Sequence, residues 1–212
     1  MTTQLKERPV IFTTEEVNAV LAGDKTQHRL VVGNPSNGFE FDFNLSGLTT
    51  PAIGYMNNKF GLLTKREIHP NSKKFERGIK SCPFGKVGDR LWVRETHHAP
   101  DFLHDYEVKE LAEGLTTLES LGVTYKADAP HMTPADGGWC SPVGMPRWAS
   151  RITLEITDIR IERVQDITLG DSLKEACNGP MDFAVYWMSK HGEGEWFINP
   201  WVWVIEFKKV DD

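Results

Sequence analysis

A chain of 212 residues, 40% hydrophobic and 25% charged, is long enough to bury a core without disulfides and reads as one domain, residues 1–212, with insertions. Its net charge of −6 argues against strong, sequence-blind binding to duplex DNA, an affinity built from many neutralised phosphates. Residues 1–8 lack the apolar run of a signal peptide, no stretch is long enough to span a bilayer, and Cys82, Cys140 and Cys177 are spaced too widely for a disulfide framework or a zinc knuckle; a cytoplasmic protein with reduced thiols and no membrane partner is expected.

In chain order, residues 9–12 predict a short strand. Thr13 stands three residues before Glu16, the capping-box spacing, so a helix should begin there. Val17, Val20 and Leu21 then share one face, and Gly23 offers the left-handed conformation that ends a helix. The following stretch, Asp24 to Arg29, carries Lys25, His28 and Arg29 and by its own residues reads as a solvated turn leading into a strand at 29–32. Turn formers crowd residues 33–80, which read as a loop-rich insertion containing a strand in which Phe39, Phe41 and Phe43 alternate with Glu40 and Asp42. Seven basic residues (Lys65, Arg66, Lys73, Lys74, Arg77, Lys80, Lys86) against Glu67 and Glu76 make this region basic, whereas Asp101, Asp105, Glu107, Glu110, Glu113 and Glu119 against Lys109 make the next insertion, residues 97–124, acidic. Such faces either position a single strand or are simply solvated.

Between the insertions, residues 88–95 predict a strand with Leu91 and Val93 on one face and Trp92 and Arg94 on the other. A weak helical pattern follows near Val108, Leu111, Leu115 and Leu118, then a short strand at 125–128 and a Pro/Gly-rich loop ending at Ser150. The longest strand signal spans residues 152–164. Its apolar alternation slips by one residue near Thr157 and Asp158, as a bulge or bend would require. Thr168 should cap the next helix, with Leu169, Leu173 and Ala176 buried and Glu175 on the flank. The closing strand places Trp201, Trp203, Ile205 and Phe207 on one face, with Val202 and Val204 making the other partly apolar. Together these elements give an α+β chain, short helices set against a mostly antiparallel, partly closed sheet.

Six blocks carry a family resemblance: Gly23-x-Lys25-Thr26-x-x-Arg29 after the first helix, Gly88 to Glu95 (GDRLWVRE), Tyr125-Lys-Ala-Asp128, Met145 to Leu154 (MPRWASRITL), Val164-Gln-Asp-Ile-Thr168 with its helix, and Asn199 to Phe207 (NPWVWVIEF). In that order they resemble the ASCH domain, and more narrowly the ASCH proteins of phages and prophages. The resemblance implies a PUA-like β-barrel with flanking helices. For function it implies RNA binding, ribonuclease activity in some relatives, and in one bacterial branch hydrolysis of N4-acetylcytidine by a Lys, a Thr and a Glu. Residue by residue, the lysine falls on Lys25 and the glutamate on Glu175, while the threonine's place is taken by His28; Thr26, adjacent to the lysine, projects differently and does not inherit the nucleophile role.

Amide hydrolysis in such a cleft needs a nucleophile, a proton path and support for an oxyanion. Lys25 suits either of the last two roles, His28 can activate a water, and Glu175 can orient either one or accept from an exocyclic amine. Thr26, Arg29, Trp92, Arg94, Glu95, Arg147 and Trp148 are the candidate contacts for a nucleobase or strand, since indole and guanidinium faces stack on bases. Trp201 and Trp203 belong to the core by their strand, and Trp148 is the exposed one. His97, His98 and His104 with Asp101 and Asp105 match no zinc spacing, so neither metal nor other cofactor is expected. Two readings therefore stand: a module that binds single-stranded RNA or a modified nucleoside or nucleotide, and a hydrolase in the same cleft built on Lys25, His28 and Glu175.

Overall fold

In a computed structural model the chain is described over residues 5–33, 40–41, 53–56, 59–67, 75–100, 118, 121–134 and 138–210. It is α+β. The main sheet has the order β1 (Glu7–Ile11), β7 (Arg90–Arg94), β10 (Thr153–Arg163), β11 (Trp201–Val210), β2 (Gln27–Val31), with β1 and β7 parallel and every other pair antiparallel. The slip in the apolar alternation of β10 is a real irregularity: its register against β11 shifts between Ile156 and Asp158. One extra residue there returns Ile159 and Ile161 to the inner face.

Five strands at about 4.8 Å spacing would hold the two edges of a flat sheet about 19 Å apart. Phe12, directly after β1, and His28 of β2 have ring centroids only 5.2 Å apart. The sheet is therefore strongly curled, although among the described residues no ladder joins β1 to β2 and no barrel closes. Inside the curl lie Val10, Phe12, Leu91, Val93, Leu154, Ile156, Trp203, Ile205 and Phe207, closed over by Val17 and Val20 of α1 (Thr14–Ala22).

Helix α1 starts through the expected reciprocal cap, Thr13 N–H donating to Glu16 Oε2 at 2.9 Å and Glu16 N–H to the Thr13 hydroxyl at 3.3 Å, and ends at Gly23 with φ +85°. Leu21 does not share the buried face; it is 39% exposed. The buried stripe runs through Glu16, Val17 and Val20, and turning Glu16 inward leaves Leu21 on the outer flank.

The second face of β11 is covered as well. Val202 and Val204 pack against Phe183 and Trp187 of α3 (Pro180–His191), with Val164, Ile167 and Cys177. Neither α3 nor α4 (Glu193–Ile198) was expected from the sequence. Helix α2 (Leu169–Lys174) begins at the expected Thr168 cap, but its orientation is the reverse of that expected: Leu169 and Leu173 are 59% and 54% exposed, Ala176 is exposed, and Ser172 and Glu175 face inward. The inner surface at that point is ionic, so the carboxylate goes in and the leucines go out.

The described part of the 33–80 stretch is a separate antiparallel sheet, β3 (Glu40–Phe41), β5 (Lys59–Glu67) and β4 (Ile53–Met56), with β6 (Phe75–Ser81) also on β5. Its register sets Lys65 opposite Arg77 and Arg66 opposite Glu76. Phe39, Phe43, Lys73 and Lys74 lie outside the described residues, as do the acidic run at 101–119 and the helical pattern at Val108, Leu111 and Leu115. From the second insertion, β8 (His97–His98) pairs with β9 (Thr124–Tyr125), and Leu118 packs beside Val123, Tyr125 and Met145. Among the described residues no helix is long and apolar enough to cross a membrane.

Candidate functional site

The stretch between α1 and β2 is not a solvated turn. Lys25 N–H donates to Ala19 O at the end of α1, Thr26 N–H to Lys174 O at the end of α2, and Lys25 forms an isolated antiparallel bridge with Glu175. Clasped in this way, Lys25, Gln27, His28 and Arg29 are 2%, 0%, 7% and 3% exposed and Thr26 is half-buried, while Asp24 stays exposed as expected.

The backbone clasp brings together side chains far apart in sequence. Lys25 Nζ donates to Glu175 Oε2 at 2.5 Å, and Arg29 Nη1 donates to the other oxygen of Glu175 at 3.1 Å. Arg29 Nη2 reaches Glu162 Oε2 at 3.2 Å, and its guanidinium lies 5.5 Å from the Phe183 ring. On the far side of Lys25 stands Glu16, whose Oε1 is 3.8 Å from Lys25 Nζ and 3.6 Å from His28 Nδ1. That same oxygen accepts from the Tyr186 hydroxyl at 2.6 Å and from Lys190 Nζ at 3.0 Å. With its amide turned to suit its neighbours, Gln27 donates to Asp171 Oδ1 and accepts from Arg29. Two carboxylates and two cations thus sit together with almost no solvent contact. Burying such groups costs several kcal/mol of hydration per ion, and apolar residues of similar volume are often as stable, so the cluster points towards function.

Local electrostatics set the proton states. Burial works to raise the Glu16 pKa, but His28, Lys25, Lys190 and the Tyr186 hydroxyl outweigh it and hold the carboxyl at about 2. Burial lowers the His28 pKa well below its usual 6.5, and the Lys25 cation adds to this against the pull of Glu16; the imidazole is neutral at pH 7. At that pH the standing cations on Glu16 are therefore Lys25 and Lys190. Burial, with Glu16 beside it, raises the Tyr186 phenol, which stays a donor. Burial pushes the Cys177 thiol up to about 11, so it supplies no thiolate nucleophile.

A crevice runs between β2 and α3, walled by His28, Arg29, Glu175, Phe183, Tyr186, Trp187, Lys190 and His191. It is too narrow to admit a water molecule. Trp187 and His191 stack with centroids 4.2 Å apart. Lys25 is not part of the wall: it holds Glu175 in place from within. His28 packs against Phe12 and Phe84, at 5.2 and 6.0 Å between ring centroids.

The other expected contacts form a second group along β1 and β7. Arg94 and Arg147 lie over the Trp92 ring at 4.7 and 5.9 Å, Arg94 donates to Val143 O, and Arg147 to Glu7. Trp92 itself is 8% exposed, its face taken by these guanidinium groups. Glu95 is buried against Arg151, and burial raises its pKa against that partner. Trp148, expected to be exposed, is half-buried against the Ala99, Val123 and Tyr125 cluster. Trp203 is core as expected, while Trp201 is partly buried and carries Arg163 at 4.1 Å over its ring. Among the described residues no group of three His, Cys, Asp or Glu is placed to hold a metal; His104, Asp101 and Asp105 lie outside them.

Glu16, Tyr186 and Lys190 were not anticipated as site residues. Glu16 was already accounted for by its capping box. Tyr186 and Lys190 stand at i and i+4 on α3, as do Phe183 and Trp187, and this spacing after Pro180 was the available signal.

No protein-family model, curated protein or solved structure matches the chain.

Proposed function

We propose that the chain is an ASCH-type, PUA-like domain that binds single-stranded RNA or a modified nucleoside or nucleotide, seating a base in the crevice between β2 and α3. The observation that carries this reading is the Lys25–Glu175 contact at 2.5 Å, made by residues 150 positions apart and joined by Arg29. Around it the wall offers what base recognition uses: rings on His28, Tyr186, Trp187 and His191 for stacking, and Arg29, Glu175 and Lys190 for base edges and phosphate. The strong curl of the main sheet supports the PUA-like reading, in which the barrel is partly closed. Entry of a base requires α3 to move away from β2, with the Tyr186 and Lys190 bonds to Glu16 as the first contacts to yield.

Hydrolysis in the same crevice is the second reading, favoured by the neutral imidazole of His28 close to Lys25 and Glu175. Two features weigh against it. Lys25 is held between two carboxylates behind the wall, and the hydroxyl nucleophile of the related amidohydrolases is replaced by His28. The two readings separate on Lys25→Ala, assayed for RNA and nucleoside affinity and, in parallel, for acetate release from N4-acetylcytidine and for RNA cleavage. A binding module loses about tenfold or more in affinity, since Glu175 is no longer held, and neither parent nor variant turns over either substrate. Acetate release by the parent that vanishes in Lys25→Ala would instead establish the hydrolase, and activity only in His28→Thr would show a scaffold whose chemistry was lost at that position.

A further inference from the structure

The crevice is shut, and what shuts it lies outside its wall. Tyr186 and Lys190, one turn apart on α3, both donate to Oε1 of Glu16 on α1, at 2.6 and 3.0 Å, and Lys190 Nζ also reaches Oε2 at 3.2 Å. The three groups close on one another, since Lys190 Nζ is 3.1 Å from the Tyr186 hydroxyl. Glu16 does not line the crevice, so it ties α3 to α1 without standing where a base would sit. The apolar anchor of α3 is elsewhere: Phe183 and Trp187 pack with Val202 and Val204 of β11. At about 100° per residue, Tyr186 and Lys190 fall to one flank of the Phe183 and Trp187 stripe, so a roll of the helix on β11 parts them from Glu16 without lifting the anchor. Beside Lys190 the helix ends at Gly192, φ +98°, where an added side chain would meet nothing within 4 Å, and a residue so placed can take up the change in backbone direction.

We propose that the Glu16 carboxylate is a catch that holds α3 over the crevice, so that the free protein rests closed and the strength of the catch sets how tightly a base is taken up. This rests on the nucleobase-binding reading above and adds the control of access to that site. A site open only part of the time binds more weakly by its open fraction, and whatever loosens the closed state without touching the ligand raises the affinity. Hydrogen bonds to an ionised group are the strong ones, and Glu16, held at about 2, is ionised at any ordinary pH. Lys190 is the member of the catch that meets solvent, its side chain 28% exposed against 5% for Glu16. A phosphate drawing Lys190 away from Glu16 removes one of the two ties on α3, so a nucleotide or RNA that needs the crevice open also helps to open it.

The test uses the full chain and a short, labelled single-stranded oligouridine, with affinity read by fluorescence anisotropy. Glu16→Asp keeps the charge but shortens the side chain by a methylene, which draws the carboxylate back from both donors on α3. The cap of α1 survives the change, since α2 is capped by Asp171 at the same position, and Lys25 retains Glu175. Affinity should rise about tenfold, the effect of losing one charge-assisted bond from the closed state. Glu16→Gln, which keeps the length and loses the charge, should also bind more tightly. Glu195→Gln removes the same charge beside His191 but has no part in the catch, and should stay within about twofold of the parent. Unchanged or weaker binding by Glu16→Asp overturns the proposal and leaves base binding standing, as does a gain in Glu16→Gln that Glu195→Gln reproduces. No binding by the parent or any variant removes the base-binding reading and the catch with it. Should Glu16→Asp not fold, the comparison of Glu16→Gln with Glu195→Gln decides.

Discussion

Replacing Glu175 with alanine should lower the unfolding free energy by about 3–5 kcal/mol, because it strips the shared carboxylate from two buried cations. Lys25 is then left with Glu16 at 3.8 Å, and Arg29 with Glu162 and Asp171. The informative partner is Lys25→Met combined with Glu175→Leu. If the pair is kept for recognition, the double variant regains most of the lost stability through apolar packing yet binds no base. A pair kept for the fold would leave the double variant as unstable as the single one. Urea unfolding reads both, with an unchanged m-value confirming that only stability has moved.

Acid should unfold the protein in two stages. Glu16 has a folded pKa of about 2 against an ordinary 4.5, so its contribution is fully present above 4.5 and is lost as pH falls from 4.5 towards 2. A depression of that size corresponds to about 3 kcal/mol. His28 acts in the same direction but earlier: its folded pKa lies well below 6.5, so the unfolded chain takes up a proton first and stability starts to fall below pH 6.5. In Glu16→Gln the loss below 4.5 should disappear. The variant would be less stable than the parent at pH 7 and converge with it near pH 2, while the slope starting at 6.5 remains. Urea midpoints measured across pH 2–8 give both curves; parallel curves would show that Glu16 is not held ionised by His28, Lys25, Lys190 and Tyr186.

Features written in neighbouring residues were legible in the sequence. The Thr13 and Glu16 cap, the Gly23 stop and the slip of apolar phase at Thr157 each depend on contacts within a few positions, and each is found in the structure. The site depends on contacts 146–174 residues apart, between Lys25 or Arg29 and Glu175 and between Glu16 and α3, which no local pattern encodes. The family resemblance named Lys25 and Glu175 but left their burial open. Local reasoning also misled at α2, where the leucines of an amphipathic pattern turn outward because Glu175, Arg29 and Lys25 occupy the inner surface. Helix α3 was hidden by the run from Cys177 to Pro180, whose Asn-Gly-Pro reads as a loop although Pro180 serves as the first residue of the helix. Expected contacts also divided into two groups because Trp92, Arg94 and Arg147 satisfy one another along β1 and β7 instead of facing Glu175.

The location of the base is tested most directly by photocrosslinking. A short single-stranded RNA carrying 5-iodouracil, irradiated with the full chain and mapped by peptide mass spectrometry, should join to rings of the crevice: Tyr186, Trp187 or His191 on α3, or His28 on β2. The same adduct should be lost in the Lys25→Met, Glu175→Leu double variant. Crosslinks confined to Trp92 or Trp148, and undiminished in that variant, would contradict the crevice as the binding site.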